Sequence, residues 1–141
     1  MRENGFLGRA HHSVHDMVAS KDKRLSGLIS AQPTTPVRVA LSTLTSNNVS
    51  QLPVILSGEC VGSLTEGELM ASVIEDPELL DLPVESVMDA PFPVVDKHMS
   101  AESAVGLLTR KNPAVLVREG GALQGILTRY DVVRNLTGTA D

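Results

Sequence analysis

Two short strings carry the residue types from which chemistry could be built. One is Gly62-Ser-Leu-Thr-Glu-Gly-Glu68, and the other, 63 positions later, is Gly125-Ile-Leu-Thr-Arg-Tyr-Asp131. Each places a hydroxyl (Thr65, Thr128) three residues before a carboxylate (Glu68, Asp131), with apolar residues following. That spacing fits a helix start, where the Thr accepts a backbone N–H and the acid reaches back to the cap. The same geometry suits a ligand. A helix N-terminus attracts an anion, a hydroxyl adds a donor, and a carboxylate one turn on can accept both hydroxyls of a ribose. Capping and binding are both open on these residues alone.

The strings belong to a longer repeat. QLPVIL (51–56) is echoed by PAVLV (113–117), TPVRVALSTL (35–44) by SAESAVGLL (100–108), GECVGSLTEGEL (58–69) by GALQGILTRYDV (121–132), and SVHDMVASK near the N-terminus by PVESVMDAP (83–91). In the first copy, Val37, Ala40, Leu41 and Leu44 mark one apolar helix face, with Thr35 as N-cap and Pro36 at the first helical position. LPVIL and CVGSL read as strands around a turn at SGE, and TEGELMASVI reads as a helix. The second copy predicts a helix at Ser100–Thr109, strands at Ala114–Val117 and Leu123–Leu127 around Glu119–Gly121, and a helix from Arg129. A short strand is expected before each first helix, at Leu28–Ser30 and Pro93–Val95. The fold class is therefore mixed α+β or α/β, as two β-α-β-β-α units joined by EDPELLDLP (75–83). Residues 1–13 read as a linker, 14–76 as the first unit, and 77–141 as the second, including a link at 77–83.

Composition narrows the function. The chain has 141 residues, of which 42% are apolar and 21% charged, with a net charge of −5. Either half alone would be marginal in size. With no Lys/Arg tract, no Trp and only Phe6, Phe92 and Tyr130 as aromatics, it lacks the basic face and stacking platforms of nucleic-acid binding. No apolar run is long enough to span a membrane. The start lacks a secretory stretch, and Cys60 alone permits no internal disulfide. A cytoplasmic protein is expected, contacting neither nucleic acid nor membrane.

On these strings, and most specifically on Gly125–Asp131, the sequence resembles the CBS domain family, and the duplication resembles its tandem pair, the Bateman module. "VSQLPVI" (49–55) and "VESVMDAPFPVV" (84–95) fit the same family. The resemblance implies two units packed as a pseudo-two-fold pair, with an adenosyl ligand (S-adenosylmethionine, AMP or ATP) in the cleft between them. It puts Thr128 on phosphate and Asp131 on ribose. Ile126 and Leu127 would wall the adenine beside the motif, with Leu28, Ile29, Val49 and Pro53 as candidates across the cleft; core packing is the competing role for each aliphatic. Thr65 and Glu68 would form a weaker second site. There the acid is a methylene longer and Gly67 loosens the turn, so Thr65–Glu68 is also the better capping box. Glu66 and Glu68 would repel a polyphosphate, leaving that site weak, empty or selective for an unphosphorylated ligand. Arg129, and Arg134 on another helix face, are the basic residues near Thr128.

MRENGFLG (1–8) further resembles the exit of the catalytic domain of cystathionine β-synthase-type enzymes. That implies a regulatory region controlling a pyridoxal-phosphate lyase whose cofactor lysine lies upstream, with Met1 an internal methionine. Family habit implies a homodimer. No nucleophile elbow, P-loop or zinc string occurs, so the chain is expected to hold neither catalytic residues nor cofactor of its own. His11, His12 and His15 cluster without the ligands to complete a metal site, and Cys60 reads as a core thiol. An adenine-nucleotide sensor attached to another protein and a ligand-free dimerisation module are the alternatives.

Overall fold

Val37, Ala40 and Leu44 are fully buried along one face of helix α1 (Val37–Ser46), as their spacing predicts. The computed structural model describes residues 28–109 and 112–137. These fall into two compact units: Ile29–Phe92, and a second that takes in the described residues from Pro93 on together with Leu28.

In the first unit, α1 starts one residue later than the sequence suggests. Pro36 is the N-cap, its carbonyl accepting from Val39 (2.9 Å) and Ala40 (3.1 Å). The Thr35 hydroxyl is turned away from the helix and accepts the Gln32 N–H at 2.9 Å. Strands β1 (Gln51–Leu56) and β2 (Glu59–Thr65) form an antiparallel hairpin. Ser57 and Gly58 both have positive φ (52° and 81°), as the two-residue turn that matches strand twist requires. Helix α2 (Glu66–Glu75) follows, then short 3₁₀ turns at Pro77–Asp81 and Val84–Ser86. The strand expected at Leu28–Ser30 is reduced to one parallel bridge at Ala31. There Ala31 donates to the Pro53 carbonyl (3.0 Å) and accepts from Ile55 (2.8 Å); the turn closed by Thr35 N–H on the Gln32 carbonyl then ends the ladder. Leu52, Val54, Leu64, Leu69 and Val84 complete the core with the α1 residues.

On the other side of β2 lies a strap. Ser63 and Asp89 exchange backbone hydrogen bonds (3.0 and 2.9 Å), and the Ser63 hydroxyl donates to the Ala90 carbonyl at 2.6 Å. Met88 sits over Gly62 so closely that a Cβ there would collide with its sulfur. Gly62 thus serves a close approach of the chain.

The second unit repeats the first with a fuller ladder. Strand β3 (Val94–Asp96) runs parallel to β4 (Ala114–Glu119), which pairs antiparallel with β5 (Ala122–Thr128). The register of this hairpin is that of the first shifted by 63 residues: Val117 faces Gly125 as Val54 faces Gly62. Even the bulge recurs, at Val54/Ile55 and Val117/Arg118, and the turn Gly120-Gly121 again has two positive φ values (60° and 85°). Helix α3 is shorter than expected, Ala101–Val105, with Ser100 accepting the Ser103 N–H as its cap (3.1 Å). Beyond Val105 the chain tightens into i→i+3 bonds at Leu107 and Leu108, because Gly106 is a poor helix former. Helix α4 (Arg129–Thr137) closes the unit. Val95, Ala104, Val115, Val117, Leu127 and Val132 are its core. Both units are thus the mixed α/β arrangement that the repeat predicts.

Candidate functional site

The two Thr-x-x-acid strings occupy the same place in their units, where the hairpin's second strand turns into the closing helix. Locally they differ. At β5–α4, the Asp131 carboxylate Oδ2 accepts both the Thr128 backbone N–H (2.9 Å) and the Thr128 hydroxyl (3.0 Å). Thr128 Oγ1 in turn accepts the Asp131 N–H at 3.2 Å. This is the reciprocal capping box, closed with an Asp in place of the usual Glu. Asp131 is only 5% exposed, consistent with so many partners. Thr128 and Ile126 are half-buried, Leu127 is sealed in the core, and Arg129 is exposed.

At β2–α2 the box predicted from sequence does not form. Thr65 sits at the N-cap with extended backbone, yet its side chain caps nothing. The Glu66 N–H instead goes to the Ser50 carbonyl at 2.9 Å. Glu68 is exposed and is drawn aside, its carboxyl within hydrogen-bonding reach of Asp89 on the strap. That contact and the repulsion between the two acids raise Glu68 above its ordinary value of 4.5; slight burial adds to this, and the Thr65 hydroxyl works against it.

Thr65, Glu68 and Asp89 line one open pocket of about 330 Å³, together with Ser72 and the apolar Leu69 and Val87. Two carboxylates and two hydroxyls stand over an apolar floor. Among its described lining residues none is basic. Such a site can take an apolar ring against the floor and polar or positively charged groups at the rim.

The remaining candidates are placed individually. Ile29 and Val49 are partly buried against the first unit's core, and Pro53 is fully buried in β1. Leu28 is half-buried and clusters with the second unit rather than the first. Sequence reasoning missed Asp89. Its string VMDAP was visible as part of the repeat, but its pairing with Ser63 across the hairpin edge is long-range and leaves no local periodicity. Cys60 is half-buried and donates to the Gly62 carbonyl (3.2 Å). His11, His12 and His15, the Met1–Gly8 string and the SVHDMVASK echo lie outside the described residues. Among the described residues no three His, Cys, Asp or Glu side chains group as metal ligands, and no helix is long and apolar enough to cross a membrane.

Comparison with known proteins adds the following. The family model described as "CBS domain" matches residues 23–75 and again 84–138. A protein with CBS domains from Burkholderia ambifaria MC40-6 is similar in structure, with a TM-score of 0.78 at 19% identity over 90% of this chain and 95% of that one. A CBS-domain containing protein from Agrobacterium tumefaciens gives 0.74 at 22% identity, over 89% and 93% of the two chains. CBSX2, solved in complex with AMP, gives 0.70 at 28% identity, over 92% and 99%.

Proposed function

The chain belongs to the CBS domain family, two copies in tandem forming a regulatory rather than a catalytic fold, and from that premise we propose that it senses an adenosyl ligand. The observation that carries the reading is the pocket at β2–α2, where Thr65 and Glu68 of the repeated string open onto a cavity with an apolar floor. Thr65 is the hydroxyl donor and Glu68 the acceptor for a ribose; Leu69 and Val87 offer the apolar surface. In the second unit the equivalents are Thr128 and Asp131, with Ile126 beside them. There the ribose hydroxyls would share Asp131 with the cap.

AMP has support from CBSX2, solved with that nucleotide. S-adenosylmethionine has support from the net negative charge and from the resemblance of Met1–Gly8 to the exit of a cystathionine β-synthase-type catalytic domain. On the same resemblance, the controlled activity is a pyridoxal-phosphate lyase. A ligand regulates it only through its differential affinity for the states it selects between.

The module works as a homodimer in this reading. Met70 on α2 and Val133 on α4 hold the same place in the repeat, and both are large apolar residues exposed by about half (47% and 53%).

Thermal unfolding of the full chain with AMP, ATP and S-adenosylmethionine tests the sensing function. A ligand that binds only the native state stabilises it by RT ln(1 + [L]/Kd), about 2.7 kcal/mol at a hundredfold excess over Kd. A rise of several degrees with one of them supports it. Unchanged melting with all three leaves a ligand-free dimerisation module.

A further inference from the structure

Helix α2 has two apolar faces. Leu69 and Val73 pack into the first unit's core, while Gly67, Met70, Ala71 and Ile74, at i, i+3, i+4 and i+7, are all exposed. Folding accounts for the inner face; an outer face with the same helical period suits another helix. One repeat later, α4 carries Tyr130 and Val133 in the places of Gly67 and Met70, both exposed (69% and 53%), and Arg134 in the place of Ala71. Small residues on α2 thus correspond to large ones on α4.

Charge divides in the same way. Between Ile29 and Phe92 the chain has nine carboxylates and one basic side chain, Arg38, whereas from Pro93 onward six basic residues accompany five carboxylates. The charged residues of α2 are Glu66, Glu68 and Glu75; the exposed Glu75 ends the helix, with no basic residue in the last turn. Helix α4 begins with the exposed Arg129. Glu75 and Arg129 each stand at the end where their own helix dipole disfavours them. Helix stability does not explain that placement; an opposite charge on a facing helix does.

Resting on the homodimer reading, we propose that α2 of one copy packs against α4 of the other, and not against the partner's α2. Two α2 helices face to face set glutamates against glutamates, with no large side chain to fill the space over Gly67 and Ala71. Two α4 helices set arginines against arginines and one Tyr130 against another. The crossed pairing brings Tyr130 over Gly67, where nothing in its own chain stands within 4 Å of a Cβ, and arginines of α4 against glutamates of α2. Like charges held together oppose the first two pairings, and complementary ones select the third. The crossed interface is two-fold symmetric, each copy giving one α2 and one α4.

Cross-linking between copies tests the pairing. In a Cys60→Ser background of the full chain, Met70→Cys, Val133→Cys and the double variant Met70→Cys/Val133→Cys are each treated with a short bis-maleimide, and covalent dimer is followed on a denaturing gel. Both positions are exposed and outside the cores, so the fold is kept; circular dichroism checks this, and light scattering gives the mass of the untreated wild type. Crossed pairing predicts covalent dimer at least about fivefold faster in the double variant than in either single one, because only that chain sets two thiols opposite each other across the interface. A double variant that does not outpace both single ones overturns the crossed pairing, and a dimeric wild type then leaves the homodimer reading standing. A monomeric wild type removes that reading and this pairing with it.

Discussion

Asp131 Oδ2 accepts two hydrogen bonds from Thr128, one from its backbone N–H and one from its hydroxyl, and the Asp131 N–H donates to the Thr128 hydroxyl oxygen, so the two residues close a ring at the start of α4. Their counterparts one repeat earlier do not. Thr65 caps nothing, and Glu68 points to Asp89. The same string has been put to two uses: one copy secures a helix, and the other opens a pocket.

This asymmetry predicts unequal stability losses. Thr128→Ala and Asp131→Ala should each cost about 1 to 2 kcal/mol, the range of a lost N-cap. Thr65→Ala should stay within about 0.5 kcal/mol, as for surface changes without a structural role. Urea unfolding midpoints of the three variants measure this. Equal losses at Thr65 and Thr128 would show that the first box closes in solution.

Much of the hairpin architecture was legible because it is local. The Gly-containing turns, the apolar runs and the helix face of Val37, Ala40 and Leu44 each leave a period or a punctuation mark, and the repeat doubled every signal. Boundaries were less legible: Thr35 looked like a cap, but its hydroxyl found the Gln32 N–H first. The candidate site was half visible. Thr65 and Glu68 mark only the weaker of the two sites in the sequence, behind Thr128 and Asp131, and Asp89 leaves no mark there at all, because its place depends on the strap pairing with β2, a contact between segments far apart in sequence. Judged on local chemistry alone, Glu68 was the better capping residue. A tertiary partner decided otherwise.

Stability should respond to pH through Glu68. Its folded pKa lies above the unfolded value, so the folded state holds the extra proton. The resulting stabilisation is complete below pH 4.5 and is lost as pH rises through the folded value. Glu68→Gln should therefore flatten this part of the profile. Asp89→Asn should do the same, since Asp89 is the largest cause of the shift. Denaturant midpoints across the acid range, taken for wild type and both variants, check the sign. A wild-type profile that rises through that interval as steeply as the variants' would contradict it.

The glycines of the first string separate by their surroundings. Gly62 lies under Met88, whereas nothing stands within 4 Å of a Cβ at Gly67. Gly62→Ala forces Met88 aside and should cost about 1 to 3 kcal/mol, the range for overpacking. Gly67→Ala, inside α2 with open space, should stabilise by about 0.4 to 1 kcal/mol through the unfolded chain. A Met88→Ala background gives the internal check: if the collision is the cause, most of the Gly62→Ala cost disappears there.

The exposed apolar positions carry the last prediction. Met70 and Ile74 lie one turn apart on α2, with Ile74 77% exposed, and Val133 repeats Met70 on α4. Such residues cost little when covered by a second copy and expose apolar area to water when they are not. Light scattering on the full chain should give the mass of a dimer. Met70→Glu/Ile74→Glu should give a monomer with unchanged circular dichroism, because neither side chain belongs to a core. A dimer that survives this change, and Val133→Glu as well, would place the contact on another surface; a wild-type monomer would remove the dimer from the proposed function altogether.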